Sequence, residues 1–316
     1  MKRNDYTGYL FVHFIGEQKD GEQIYFSLSR DGLHWEDLNQ GKPVLKSSIG
    51  EAGARDPFLI RSPWKSGPKY FLIATDLRIE AGKGWQVAQY SGSRDILVWE
   101  SDDLVHWNGP TAHTIGVEGA GCVWAPEAIY DEEADAILLF WASMVKLPGD
   151  AEPKQRIYWS HTRDFQTFTE PQIYLEKENH VIDSTIIHVP TEKEGEKGRY
   201  YRYSKDETTK KIRVDVSDTL LPPDSFKEVP SKTLDELYGV EGPEIFKFND
   251  RNEYCLIVDR FAEGKGYLPM VTADLASGEF RILSDNEFDM GETKKRHGGV
   301  ISITEEECRK LFDIYK

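Results

Sequence analysis

Cysteine, long apolar runs and positive charge are scarce in this sequence, and each scarcity removes a class of protein. The three cysteines, Cys122, Cys255 and Cys308, are far apart, odd in number and never spaced as Cys-x-x-Cys. Neither a zinc site nor a disulfide framework follows from them, so they read as simple thiols. No apolar stretch nears the roughly 20 residues needed to cross a bilayer, and no membrane partner is expected. The opening Met-Lys-Arg-Asn-Asp-Tyr lacks the apolar core of a secretory signal, and no Asn-x-Ser/Thr sequon occurs. A cytoplasmic protein is the expectation, or a secreted one if a leader has been trimmed. Lys and Arg number 39 against 55 Asp and Glu, a formal net charge of −16. So acidic a surface repels phosphate backbones and argues against a nucleic-acid partner. Gly116 to Gly121 resembles a phosphate loop, but no Lys-Ser/Thr follows it. His-Glu-x-x-His and Gly-x-Ser-x-Gly are absent too.

What the chain does contain is aromatic residues and a repeat. With 15 Tyr, 15 Phe and 8 Trp in 316 residues, it has ample material for a buried core. A short alternating strand, a small or polar residue, an Asp and then an aromatic recur in five segments. These run from Ile24 to Glu36, Ile96 to Asn108, Ile157 to Thr169, Ile212 to Lys227 and Leu268 to Arg281, starting 55 to 72 residues apart. Each reads as a strand, a turn whose Asp bonds backbone amides two residues on, and a return strand opened by the aromatic. Between them lie four apolar strand pairs, opening at Asp56, Pro126, Asp183 and Gly242.

One pair of each kind makes a four-stranded sheet, the blade of a propeller. A fifth blade must be split. Gly8 to Gly16 lacks a first partner, and Gly299 to Thr304 is a lone strand. Joining them closes the ring and removes two exposed edges. The expectation is an all-β, five-bladed β-propeller forming one domain over residues 1–316, its closing blade shared between the termini. Helical pattern is confined to Thr304–Asp313, where Thr304 and Glu307 spell a capping box.

Innermost propeller strands converge on an axis, so the residues that open them meet at one mouth. The openings read Ala54-Arg55-Asp56-Pro57, Val123-Trp124-Ala125-Pro126-Glu127, Val181-Ile182-Asp183-Ser184, Val240-Glu241-Gly242-Pro243 and Arg296-His297-Gly298-Gly299. Asp56, Asp183 and Glu241 are thereby expected at equivalent places, with Trp124 and His297 in the other two blades. One acid before Pro or Gly is an ordinary turn residue. Three aimed at one space repel each other, which shifts pKa values as acid–base chemistry requires.

The ordered set of an Asp-Pro opening, Trp-Ala-Pro, an Ile-Asp opening, a Glu-Gly-Pro opening and a late His-Gly resembles glycoside hydrolase family 43, along the chain from Tyr9 to about Thr304. Arg-Asp-Pro-Phe and Arg-His-Gly-Gly-Val-Ile-Ser-Ile-Thr resemble its bacterial arabinofuranosidase-like branch. The resemblance implies an inverting, exo-acting glycosidase with Asp56 as general base, Glu241 as general acid, and Asp183 raising the proton affinity of Glu241 and holding its orientation. An inverting pair stands roughly 6.5–9.5 Å apart. Trp124 would form a wall of the sugar site, and Arg296 and His297 would also contact substrate. Glu127 reads as supporting structure. Arg55 and Arg296 would orient acids, with at least one in a solvent-facing ion pair.

No cofactor is required. A structural calcium ion at the axis, contacted by His297 as the metal-side residue, is compatible with the resemblance. Many relatives carry the base Asp close to the N-terminus; here the match falls at Asp56, as though an extra leading strand pair supplied the closing blade. The substrates implied are small plant-type oligosaccharides, α-L-arabinofuranosides first, with β-D-xylosides or β-D-galactofuranosides as competitors. The rivals are a non-catalytic carbohydrate-binding propeller, which needs no acid trio, and a retaining fructosidase-type hydrolase, which would use an Asp nucleophile.

Overall fold

A computed structural model describes residues 5–191 and 198–316. Residues 192–197, where the sequence reading expects the turn of one strand pair, lie outside the described residues.

Among the described residues, twenty strands form five four-stranded antiparallel sheets. Blade 1 contains β1 (Tyr6–His13), β2 (Tyr25–Ser29) and β3 (Trp35–Asp37). Blade 2 follows with β4 (Arg55–Arg61), β5 (Tyr70–Thr75), β6 (Asp95–Ser101) and β7 (Trp107–Thr114). Blade 3 has β8 (Trp124–Asp131), β9 (Ala136–Val145), β10 (Lys154–Thr162) and β11 (Gln172–Leu175). Blade 4 has β12 (Val181–Val189), β13 (Arg199–Asp206), β14 (Lys211–Ser217) and β15 (Lys227–Glu228). Blade 5 has β16 (Glu241–Lys247), β17 (Tyr254–Asp259), β18 (Tyr267–Thr272) and β19 (Arg281–Ile282). The last strand, β20 (Gly298–Thr304), returns to blade 1 and pairs antiparallel with β1, from Gly298 opposite His13 to Thr304 opposite Tyr6. The split blade inferred from two partnerless strands is therefore present. The inner strands β20, β4, β8, β12 and β16 touch in cyclic order, which closes the ring.

Alternation along the strands sends successive side chains into opposite wedges between blades. On β1, Leu10 and Val12 join Leu59, Leu72 and Trp99 of blade 2. Tyr9 and Phe11 on the same strand join Phe246, Ile257 and Tyr267 of blade 5. Middle strands pack on both faces, so β9 (AILLFWASMV) is buried throughout. Three of the outer strands, β3, β15 and β19, are only two or three residues long, which blunts those edges.

The repeated turn behaves as its residues suggest. Asp31 accepts from the Leu33 amide at 2.8 Å, Asp103 from Val105 at 3.0 Å, Asp164 from Gln166 at 2.9 Å and Asp274 from Ala276 at 2.9 Å. In blade 4 the neighbouring Ser217 does this instead, accepting from Thr219 at 3.1 Å.

The C-terminal helix is capped by Thr304 and Glu307, as its sequence indicates. Two short helices were not anticipated: α1 (Gly84–Tyr90) and α2 (Lys232–Glu236), with the terminal helix as α3 (Glu305–Tyr315). Both new helices sit in connections and are too short to show an amphipathic period. The cysteines are free and buried.

Candidate active site

Each of β4, β8, β12 and β16 begins with a β-bulge. Its extra residue is left-handed: Asp56 (φ 49°), Ala125 (48°), Asp183 (47°) and Gly242 (51°). Such a conformation is uncommon for a residue with a Cβ, and bulges re-aim side chains. The bulge sorts the inner residues into layers. Arg55, Trp124, Ile182 and Glu241 immediately precede the bulges, opposite Thr75, Ala142, Lys205 and Asp259. Asp56 and Asp183 occupy the left-handed layer. Below it, Phe58, Glu127, Thr185 and Glu244 lie opposite Ile73, Phe140, Tyr203 and Ile257.

This register corrects the expected equivalence of the three acids. Asp56 and Asp183 do correspond, but Glu241 lies one position earlier, in the layer of Arg55 and Trp124. Its blade has glycine at the bulge because the His297 ring fills the space: an added Cβ on Gly242 would come within 2.7 Å of the imidazole Cγ. The offset does not separate the acids. Asp56, Asp183 and Glu241 line one cavity of about 420 Å³, together with Trp124, Arg296 and His297.

Asp56 is held by a relay between blades. The Ala125 amide donates to Thr75 Oγ1 at 2.8 Å, and that hydroxyl donates to Asp56 Oδ2 at 2.9 Å. Asp183 Oδ2 accepts from the Gly242 amide at 3.2 Å. His297 is buried among the acids: Nδ1 lies 3.6 Å from Asp56 and 3.9 Å from Asp183, and Nε2 lies 3.9 Å from Glu127. Burial would strip its proton, but Asp183, Glu127 and Asp56 outweigh this and raise it to about 10.

Glu241 bonds Lys205 Nζ at 2.8 Å and Arg296 Nη2 at 2.8 Å. Burial alone would raise its pKa; these two cations instead bring it down to about 2. Asp183 is pushed up to about 6, first by burial and then by the charges of Glu241 and Asp56, against the pull of His297 and Lys205. The raising effect expected of Asp183 on Glu241 is outweighed, because two cations from other strands sit on the glutamate. In the layer below, burial raises Glu127 to about 7 and lifts Glu244 well above its usual range, with Glu127 adding to the latter.

Arg55 is buried and the Arg296 side chain is only 11% exposed, so neither forms the solvent-facing pair anticipated for one of them. Arg55 Nη1 binds Glu17 and Glu22, each at 2.8 Å. Arg296 joins Glu241 to Asp259 and approaches Glu17 at 3.6 Å. Burying such charges is costly unless they are mutually paired, and here they form a connected chain beside the cavity, Glu22–Arg55–Glu17–Arg296–Glu241.

The axis does not fit a directly ligated metal ion. Calcium takes six to eight oxygen ligands. Among the described residues no three His, Cys, Asp or Glu converge to hold an ion. His297 sits instead among Asp56, Asp183 and Glu127, whose charges favour its protonated form over a metal-ligating one.

Lys205, Glu17, Trp85 and Thr75 were not singled out from the sequence. Lys205 carried no distinctive signal, being one of three cations in the strand Arg199–Asp206 (RYYRYSKD). Glu244 did carry one, since Pro-Glu follows the bulge in both blade 3 and blade 5.

Residues 4–309 match the family described as "Probable glycosyl hydrolase domain", related to glycoside hydrolase family 43. An α-L-arabinofuranosidase of Bifidobacterium longum subsp. longum is 32% identical over 81% of this chain and 27% of its own length. The chain thus spans about a quarter of that relative. Among solved structures, a Penicillium chrysogenum α-L-arabinanase complexed with arabinobiose superposes with TM-score 0.54 at 14% identity, over 90% of this chain and 84% of that one. An endo-1,4-β-xylanase of Bacteroides thetaiotaomicron gives 0.56 at 14%, over 94% and 98%. At such identities these likenesses speak for the propeller fold alone. With the family matched across nearly the whole propeller, the chain belongs to the glycosyl hydrolases related to glycoside hydrolase family 43.

Proposed function

We propose that this propeller is an inverting, exo-acting hydrolase of family 43 type that releases terminal α-L-arabinofuranosyl residues from small oligosaccharides. The observation that carries the proposal is the convergence of Asp56, Asp183 and Glu241 on one cavity sized for a small ligand. The arabinofuranosidase relative supports the choice of sugar. Xylosides and galactofuranosides are the competitors a substrate panel would separate.

In the proposed step, Asp56 takes a proton from water as the water oxygen bonds the anomeric carbon on one face. The glycosidic C–O bond breaks on the other face while the acid delivers a proton to the leaving oxygen. Asp56 ends protonated and the acid ionised, and proton exchange with solvent resets both. Thr75 supports this role for Asp56, since its donated hydrogen bond fixes one carboxylate oxygen.

Two carboxyls compete for the acid role. The resemblance assigns Glu241, which must lose Lys205 or Arg296 from its oxygens before it can carry a proton. The elevated Asp183 favours a second reading, in which Asp183 donates and Glu241 anchors the cations. Leaving-group chemistry separates them. A variant lacking the acid keeps turnover of a dinitrophenyl arabinofuranoside, whose leaving group needs no proton, and loses turnover of an alkyl one. Glu241→Gln should show that split. If Asp183→Asn shows it instead, the roles exchange. If neither variant loses activity on either substrate, the hydrolase site lies elsewhere. Detection of the first-formed anomer by NMR tests inversion.

A further inference from the structure

The connection from Asp76 to Arg94, between β5 and β6, is the longest of its kind at the mouth of the ring; its counterpart in blade 4 is only Glu207–Lys210. It carries α1. The helix turns Trp85 and Gln89, one turn apart, into the cavity wall and leaves Val87 facing outward.

Trp85 is 49% exposed, yet it is firmly placed. The Arg55 guanidinium lies 5.0 Å from the ring centre. Trp124 meets Trp85 edge to face at 6.1 Å. The segment behind it is tied down by two acids from blade 1 and the connection that follows it. Glu22 accepts the amides of Ile79 and Glu80 at 2.9 and 2.8 Å, and Glu51 accepts those of Arg78 and Ser93 at 3.2 Å each. Glu22 is only 2% exposed, so this anchor is built into the fold. An exposed tryptophan normally costs solubility and gains nothing. Held at a cavity rim with about half its surface exposed, it offers apolar area with little entropy to lose on binding.

We infer that Trp85 is the platform for the sugar on the leaving-group side of the scissile bond. The inference rests on the hydrolase assignment above and adds where the rest of the substrate goes. The acids lie at the converging inner strands, while Trp85 is at the rim, where the departing chain must pass. Its occupant is a neutral sugar residue, whose C–H face stacks on indole, with the Gln89 amide available to its hydroxyls.

The test compares two substrates that share the cleaved sugar and differ in what leaves: α-L-arabinofuranosyl fluoride, and arabinotriose or arabinosyl-xylotriose. Trp85→Ala should lower kcat/KM for the oligosaccharide about tenfold and change that for the fluoride by less than about twofold. Trp85→Phe should recover most of the loss, and Val87→Ala on the outward face should change neither. Equal losses on both substrates, or no loss on either, overturn the platform while the hydrolase assignment stands. So does a wild type that cleaves the fluoride but no oligosaccharide. A wild type inert on fluoride and oligosaccharides alike overturns the arabinofuranosidase assignment and the platform with it.

Discussion

Glu241 and Glu244 lie on the same strand, both withdrawn from solvent, yet their protons behave in opposite ways. Glu241 faces the cavity mouth, where Lys205 and Arg296 reach it, and is held at about 2. Glu244 faces the layer below, where its partners are the Val300 amide at 2.7 Å and the Thr185 hydroxyl at 3.3 Å, with Glu127 nearby. It is pushed well above its usual range. Burial acts on both in the same direction. What separates them is whether a cation reaches the carboxylate, because an ion pair offsets lost hydration and a neutral hydrogen bond offsets only part of it. Cations thus favour the ionised form of the glutamate at the mouth, while burial favours the proton on the glutamate below it.

The largest effect expected from breaking this contrast is on turnover. Asp56→Asn or Glu241→Gln should each lower kcat on an alkyl glycoside by about 10²–10⁴-fold, measured with thermal melts that remain near wild type. In the Gln variant, Lys205 keeps Glu207 at 2.7 Å and Arg296 keeps Asp259, so no buried cation is stranded. Next comes Thr75→Val, which removes the hydroxyl proton from Asp56 and leaves the Ala125 amide without its acceptor. A fall in kcat of about tenfold or more, with KM little changed, is expected from a base that has lost its orientation. An unchanged kcat would mean that His297 alone positions Asp56.

Two stability measurements sharpen the comparison further. Glu241 has a folded value below its ordinary 4.5, so its stabilisation is present above that pH and is lost as pH falls toward 2. Lys205→Met should lift Glu241 and flatten this acid-side loss, read as the shift in urea midpoint between pH 5 and 2.5. A slope equal to wild type would assign the depression to Arg296. Glu127 has the opposite sign. Its value of about 7 stands above the ordinary 4.5, so its favourable contribution is present below 4.5 and is lost as pH rises through 7. Glu127→Gln cannot ionise and should narrow the difference in midpoint between pH 5 and 7.5, the smallest of these effects.

The fold was largely legible because its signals are local. Asp31, Asp103, Asp164 and Asp274 each make a turn with neighbours two residues away, and such turns can be seen in a string of letters. The lone strand at Gly299 announced its distant partner by lacking a near one. The site was legible only to its residue types. Asp56, Asp183 and Glu241 were found, but their register was not. The bulge that seats Asp56 and Asp183 places Gly242 in the equivalent position, and Glu241 before it. A one-residue offset is invisible where both alignments put an acid beside Pro, Ser or Gly.

Sequence by itself determined the five blades, the joining of the two ends and the acids that open the inner strands, since each depends on periodicity or on turn chemistry within a few residues. Tertiary structure alone decided which acids are charged. Lys205 comes from the second strand of blade 4, Arg296 from the approach to β20 and His297 from the residue after it, and their effect on Glu241 and Asp183 depends on distances of about 3–4 Å across the axis. Electrostatic energy varies with separation and burial, and neither is written in the order of residues along the chain.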